Sequence, residues 1–251
     1  MILFPFISEE FNGAIWRMEI DGLSETIFVE IRNSEERTAS FGSVDLLTGK
    51  LNFKDLVLPE RWLTGIEAAY DGVLLLHNYL SDASPVHKGL TAVNAANAEI
   101  IWSNYTYAFD HLSVNGPVVH NVQIQPKKLF LIDVKTGAIA RPYQPVIDGE
   151  LINDVIVPQL LPVSFLKQKL PIESYGNNMH YLEHNNFRIV SLHSFEAGSL
   201  KQHLYIMNNL QLVYEDILNV DIQKIQPEAF IIHKNYLIYV KNKSELKVLN
   251  V

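Results

Sequence analysis

One ten-residue phrase occurs three times in the chain, and it limits the available folds more than any other feature: VDLLTGKLNF from Val44, VNAANAEIIW from Val93 and IDVKTGAIAR from Ile132. Each copy is a strand end carrying Asp or Asn, a short turn on Thr-Gly or Asn-Ala, and a second strand. The copies start 49 and 39 residues apart, close to the ~40–50 residues of one four-stranded propeller blade.

The residues before each phrase extend the pattern. Gly65–Tyr70 and Val73–Tyr79 flank Asp71-Gly72, and His111–Val114 and Pro117–Ile124 flank Asn115-Gly116. An Asx-Gly pair between apolar runs is a strong hairpin signal, because both turn residues must tolerate positive φ. Strand, turn, strand, strand, turn, strand is a four-stranded antiparallel meander. The first repeat reads Ala14–Ile20, Thr26–Arg32, Thr38–Asp45 and Lys50–Phe53. A weaker fourth runs through Met179–Glu183, Phe187–Ser194, Gln202–Met207 and Leu210–Tyr214. A fifth covers Ala229–His233, Tyr236–Val240 and Leu246–Val251, one strand short, and Ile2–Ile7 is expected to complete it.

The expected fold is therefore all-β: a β-propeller of four-stranded antiparallel blades, closed by N- and C-terminal strands, with residues 1–251 as a single domain. Five blades are predicted, with six as the alternative. The choice turns on residues 144–178, whose prolines at 145, 158, 162 and 171 oppose a regular central strand and favour an extended or partly helical insertion. Within it VIVPQLLPVSFL, residues 155–166, is expected to be an ordinary packed loop rather than a docking site, since an exposed apolar stretch of this length invites aggregation; across the channel mouth it would be a plug or a partner-binding patch.

Composition removes several functions. A formal charge of −8 opposes a broad nucleic-acid surface, which needs clustered Lys and Arg. No apolar run reaches the ~20 residues of a membrane helix. Cysteine is absent, and with it disulfides, thiolate metal sites and cysteine nucleophiles. The first residues, MILFPFISEE, lack the features of a signal peptide and read as a strand, so the expected location is the cytoplasm.

The segments KGLTAVNAANAEIIW, residues 88–102, and KKLFLIDVKTGAI, residues 127–139, resemble the repeat of the quinoprotein-dehydrogenase-like (PQQ-repeat) propellers. In that repeat an aliphatic strand ends in Asp or Asn before Thr-Gly, and a Trp on the next strand docks between blades. Asn94 and Asp133 hold the strand end, Thr136-Gly137 and Thr48-Gly49 the turn, and Trp102 the dock, with Phe53 and Arg141 at the equivalent positions. The resemblance implies blade geometry. The quinone enzymes hold their cofactor through adjacent cysteines and a calcium site in a larger ring, so no cofactor is expected here. The non-catalytic scaffold members, which present loops to protein partners, are the nearer analogy, as is an uncharacterised bacterial family.

In a propeller the first residues of each innermost strand meet the channel mouth. Aligning the Asx turns brings Arg17, Glu67, His111 and Tyr181 to one level and Trp16, Asp110 and His180 to the level before it. These seven form the candidate ligand site, with Arg17 as charge partner, Trp16 as stacking platform and the His and carboxylate groups as proton carriers. No metal site is expected: His180 and His184 in HYLEH would lie ~13 Å apart on a strand, and the other histidines share no spacing. No GxGxxG, P-loop or GxSxG motif occurs. The leading expectation is a non-catalytic protein that binds a protein partner or a polar small molecule through its loop face. The alternative is a carbohydrate-active hydrolase or lyase.

Overall fold

The computed structural model describes residues 2–81, 83–166, 168, 170–209 and 211–251. After β1 (Ile7–Glu10), a first sheet is built from β2 (Ala14–Asp21), β3 (Thr26–Asn33), β4 (Thr38–Asp45) and β5 (Leu51–Leu56). A second uses β6 (Thr64–Tyr70), β7 (Val73–Ser81), β8 (Ser84–Asn94) and β9 (Ile100–Asn104). A third uses β10 (Tyr107–Ser113), β11 (Gly116–Asn121), β12 (Leu129–Ile132) and β13 (Ile139–Pro142). Two short strands follow, β14 (Val155–Ile156) and β15 (Gln159–Pro162). β15 opens a fourth sheet with β16 (Asn178–His184), β17 (Phe187–Glu196), β18 (Ser199–Asn208) and β19 (Gln211–Ile222). The fifth holds β20 (Ile231–His233), β21 (Tyr236–Lys241) and β22 (Glu245–Asn250), flanked by β14 and β1. All pairings are antiparallel, as the Asx turns predict. Among the described residues no helix is long and apolar enough to cross a membrane. Leu210, expected to begin a strand, lies outside the described residues.

The chain divides into two compact units, Phe11–Asn153 with the first three sheets, and Asp154–Val251 with residues up to Glu10, holding the fourth and fifth. In the first unit β7 shows why the sheets stack. Its residues Val73–Asn78 are all buried. Leu74 and Leu76 join Phe28, Phe41 and Ile66 in a core against the first sheet, while Val73 and Leu75 pack with Val134 of the third. A strand covered on both faces needs a continuous apolar run rather than alternation, and VLLL supplies it. In the second unit Ile189, Leu204 and Ile206 of the fourth sheet bury Ile232, Leu237 and Leu249 of the fifth in the same manner.

The three phrases fold alike. Asp45 Oδ1 accepts the N–H groups of Leu47 and Thr48, both at 2.8 Å, and Asp133 Oδ1 those of Lys135 and Thr136, both at 2.9 Å. Asn94 Oδ1 accepts from Ala96 at 2.8 Å. The fourth residue after each Asx is left-handed: Gly49 at φ 71°, Gly137 at φ 70°, and Ala98 at φ 62°. Trp102 docks as expected. Its Nε1–H donates to Val134 O at 2.8 Å, and a Cβ on Gly137 would come within 2.7 Å of its ring.

One expectation changes and another gains a role. The chain start completes the fifth sheet, but through Ile7–Glu10 rather than Ile2–Ile7, with Ile7 opposite Val248 and Glu10 opposite Glu245. Pro5 cannot donate to a ladder, so regular pairing begins beyond it. The described residues of the stretch 144–178 are extended and partly helical, as expected, with a 3-10 turn at Val163–Phe165, and they also serve as edge strand. Val114 N–H donates to Gly149 O and Leu151 N–H to Leu112 O, each at 2.9 Å, alongside β10. β14 pairs with β20 and β15 with β16. Three first strands that would otherwise present bare edges are thereby covered. Leu161, Val163, Leu166, Leu170 and Ile172 then pack on Met179 and Tyr181 of the fourth sheet. The turn before the 149–151 edge is held by Asp148, which is fully buried and receives Arg141, the Gln144 N–H and Asn115. The paired Arg141 guanidinium, helped by those two donors, holds its carboxyl far below the ordinary range.

Candidate functional site

The first strands of the three sheets in the unit Phe11–Asn153 share one irregularity. The β2–β3 ladder slips between Ile15 and Arg17, β6–β7 between Ile66 and Ala68, and β10–β11 between Phe109 and His111. A bulge leaves one residue unpaired and re-aims its side chain; here the extra residues are Trp16, Glu67 and Asp110. All three belong to the candidate set, and the bulge breaks the strict alternation by which one of each neighbouring pair would face inward.

Arg17 crosses from the first sheet to the second. Its guanidinium donates to Ile66 O at 2.7 Å and Glu67 O at 3.1 Å, and pairs with Glu19 at 3.1 Å. Beside it, buried Glu30 accepts the Ile66 N–H at 2.8 Å through Oε2 and Arg32 Nε–H at 2.7 Å through Oε1. Arg32 donates to Thr64 O at 2.7 Å and to Trp62 O, with its guanidinium 5.0 Å from the Trp62 ring centre. Side chains of β2 and β3 thus satisfy the free backbone edge of β6, which would otherwise be buried unpaired. Burial raises the carboxyl of Glu19 above its ordinary value, against the pull of Arg17.

Next to this seam lies a cleft of about 700 Å³. The β7–β8 hairpin forms one wall, since it continues past Asn78, the last residue paired with β6, to Ser81 opposite Ser84. Trp16, Arg32, Arg37, Trp62 and Tyr79 line the cleft with smaller residues, and no described lining residue is acidic. Trp16 is 73 % exposed although it sits within a strand.

Glu67 turns from the bulge toward two histidines. Its Oε2 is 2.9 Å from His87 Nδ1 and 3.2 Å from His77 Nδ1. The imidazoles stack with centroids 3.5 Å apart and planes 7° from parallel, and Tyr79 stands edge-on to both. Donor atoms of the three residues all lie within 4.8 Å of one another. His77 is 2 % exposed and neither of its ring nitrogens has an aligned hydrogen bond. Gly65 opposite makes room, since a Cβ there would meet the His77 ring at 3.0 Å. Burial works to raise the Glu67 carboxyl, but the two imidazoles outweigh it and leave it below the ordinary range. Spacing along the chain gives no sign of this set, because His77 and His87 meet across a hairpin and Glu67 joins them from a third strand. A hairpin register read together with the bulge at Glu67 is the signal that could have found it.

The remaining candidates are held by other partners. Asp110 Oδ2 is 2.8 Å from His111 Nδ1, and its Oδ1 receives Lys127 Nζ at 2.5 Å; burial raises this carboxyl, but Lys127 and His111 prevail and lower it. His111 stands edge-on to Tyr143. In the other unit His180 Nε2–H donates to Pro227 O at 3.0 Å. Tyr181 is buried against Phe165, and its hydroxyl donates to Glu183 and accepts from Arg188. His180 and His184 both lie on β16, a strand as expected.

The sequence profile of a family described as Domain of unknown function (DUF4905) matches residues 20–102. That stretch contains Glu30, Arg32, Trp62, Glu67, His77, Tyr79 and His87. No curated protein matches the sequence. Among solved structures, a crystal structure of Raptor from Chaetomium thermophilum aligns with a TM-score of 0.40 and 10% identity over 99% of this chain and 29% of that one. The chain thus spans less than a third of the Raptor chain, and a likeness of this degree says nothing about function.

Proposed function

We propose that the protein is a non-catalytic binding protein whose cleft between the first and second sheets takes a small organic anion bearing a ring. The observation that carries this reading is Trp16, an indole left exposed within a strand, facing a cleft that also holds Trp62, two arginines and no described carboxylate. An indole offers a flat face for stacking. In a chain of net charge −8, a cleft lining with cationic groups and no acid selects anions. Arg32 is committed to Glu30 and to backbone and fixes Trp62 in place, and Arg37 lines the same cleft.

The hydrolase reading has one point in its favour. Burial raises Glu19 and the imidazoles lower Glu67, the divergence that an acid and base pair requires. Yet the Glu67 carboxylate is occupied by two imidazoles and Glu19 by Arg17, and neither carboxylate lines the cleft. Binding is therefore the reading we adopt.

The same proposal includes the architecture. We infer that the five sheets are propeller blades, a reading supported by the repeated face-to-face packing of successive sheets within each unit and by completion of the last sheet with β1. The shared Asx turns and the docked Trp102 support the likeness to the quinoprotein-dehydrogenase-like repeat.

The test is a thermal-shift screen with aromatic carboxylates, sugar acids and sugar phosphates, each beside its neutral analogue. At least one anion raises the melting temperature and quenches tryptophan fluorescence, the neutral analogue does neither, and Trp16→Ala or Arg37→Gln weakens binding about tenfold or more. A panel without a binder, or a binder indifferent to both substitutions, refutes the proposal.

A further inference from the structure

We propose that Glu67, His77 and His87 form a binding site for one divalent first-row transition cation, of which zinc is the representative. The donors are two imidazole nitrogens and one carboxylate oxygen, a set that suits zinc and its neighbours and disfavours calcium and magnesium, which take oxygen donors. Ligands about 2.1 Å from a tetrahedral ion lie roughly 3.4 Å from each other. The Glu67 oxygen is 2.9 and 3.2 Å from the two Nδ1 atoms, so small rotations of the side chains would admit the ion.

An independent observation points the same way. His77 is buried, and both its ring nitrogens lack an aligned partner, whereas buried polar atoms are nearly always hydrogen-bonded. Its Nδ1 faces the same oxygen as His87 Nδ1, from a ring stacked on the His87 ring. A divalent ion shared by the two imidazoles and the carboxylate would ligate His77 Nδ1, which lies 3.2 Å from Glu67 Oε2 without an aligned hydrogen bond.

The strands supply rigidity and a route of entry. Glu67 stands on the β6 bulge, and the β7–β8 ladder slips between Leu76 and Asn78, at His77. The His87 side chain is 35 % exposed whereas that of Glu67 is 11 % exposed, so the ion would reach the site past His87. Three protein ligands leave a fourth position for water. The site does not depend on the ligand proposed for the cleft, although Tyr79 borders both.

The full-length chain, treated with chelator, is titrated with zinc chloride by calorimetry and with cobalt chloride by visible absorption. One equivalent of zinc binds, the cobalt adduct shows the visible absorption of a four-coordinate ion, and magnesium or calcium at equal concentration does not compete. Glu67→Gln and the partly exposed His87→Ala each weaken zinc binding by at least about tenfold and abolish the cobalt band, with circular dichroism unchanged. His184→Ala, in the other unit, has no effect. Absence of binding by the wild-type chain, binding unaltered by both site substitutions, or loss of binding through His184→Ala overturns the inference.

Discussion

His193 is buried on β17, where its Nε2 accepts the Gln226 N–H at 3.1 Å. Burial, reinforced by nearby His180 and His203, pushes its imidazole down to about 4. An unfolded chain takes up this proton near pH 6.5, while the folded chain refuses it until about pH 4. Stability is therefore lost as pH falls from 6.5 to about 4, by up to roughly 3 kcal/mol from this one group. His193→Gln keeps an acceptor for Gln226 and removes the titration. In urea unfolding at pH 7 and pH 4.5, the substitution narrows the wild-type loss by about 2 kcal/mol; an unchanged difference would assign the acid sensitivity elsewhere. Arg17 and His180 show a related pattern. Polar residues at such strand levels read in sequence as ligand contacts, and in the structure each one satisfies backbone carbonyls of the segment entering the next sheet.

At the scale of elements, the repeated turn is one device used three times with different residues at its left-handed position. Gly49 and Gly137 accept positive φ without cost, whereas Ala98 at φ 62° carries a Cβ against the following carbonyl, a strain of about 1–2 kcal/mol. Ala98→Gly is expected to raise stability by about 0.5–1 kcal/mol, since greater freedom in the unfolded chain offsets part of the relief. Gly137→Ala combines the same strain with a Cβ 2.7 Å from the Trp102 ring, and is expected to cost about 2 kcal/mol or more. Equilibrium denaturation of both variants checks the pair, and opposite signs are the required outcome. Edge cover is a second device. β6 is capped by Arg17, Glu30 and Arg32, while β10, β16 and β20 are capped by pieces of the 144–162 stretch. The prolines that argue against a central strand are compatible with this use, because an edge strand needs only one of its two rows of backbone groups paired.

At the scale of the whole molecule, the proposed single ring makes a simple demand. A compact 251-residue body has a radius of gyration of about 18 Å, and two units tumbling independently on a linker would be distinctly larger. Small-angle scattering of the monomer decides this. A value near 18 Å with one smooth maximum in the distance distribution is the outcome required of a propeller, and a two-peaked distribution would remove the ring.

Strand positions and turn chemistry were legible without coordinates because they depend on neighbours within a few residues: apolar runs, Asx side chains bonding to their own backbone, glycine at positive φ. β4 begins and ends at Thr38 and Asp45, as read from the sequence, whereas β10 starts four residues before the expected His111 and β19 runs on to Ile222 rather than ending at Tyr214. Alignment of the turns singled out Trp16, Glu67 and Asp110, which in the structure are the residues at the ladder slips of their first strands. What each side chain does there was decided only in three dimensions. A bulge alters which way a residue points without leaving a mark in composition. Glu67, His77 and His87 meet because a hairpin register and two ladder slips bring three strands into place, and such register is set by packing between sheets rather than by any local stretch of chain.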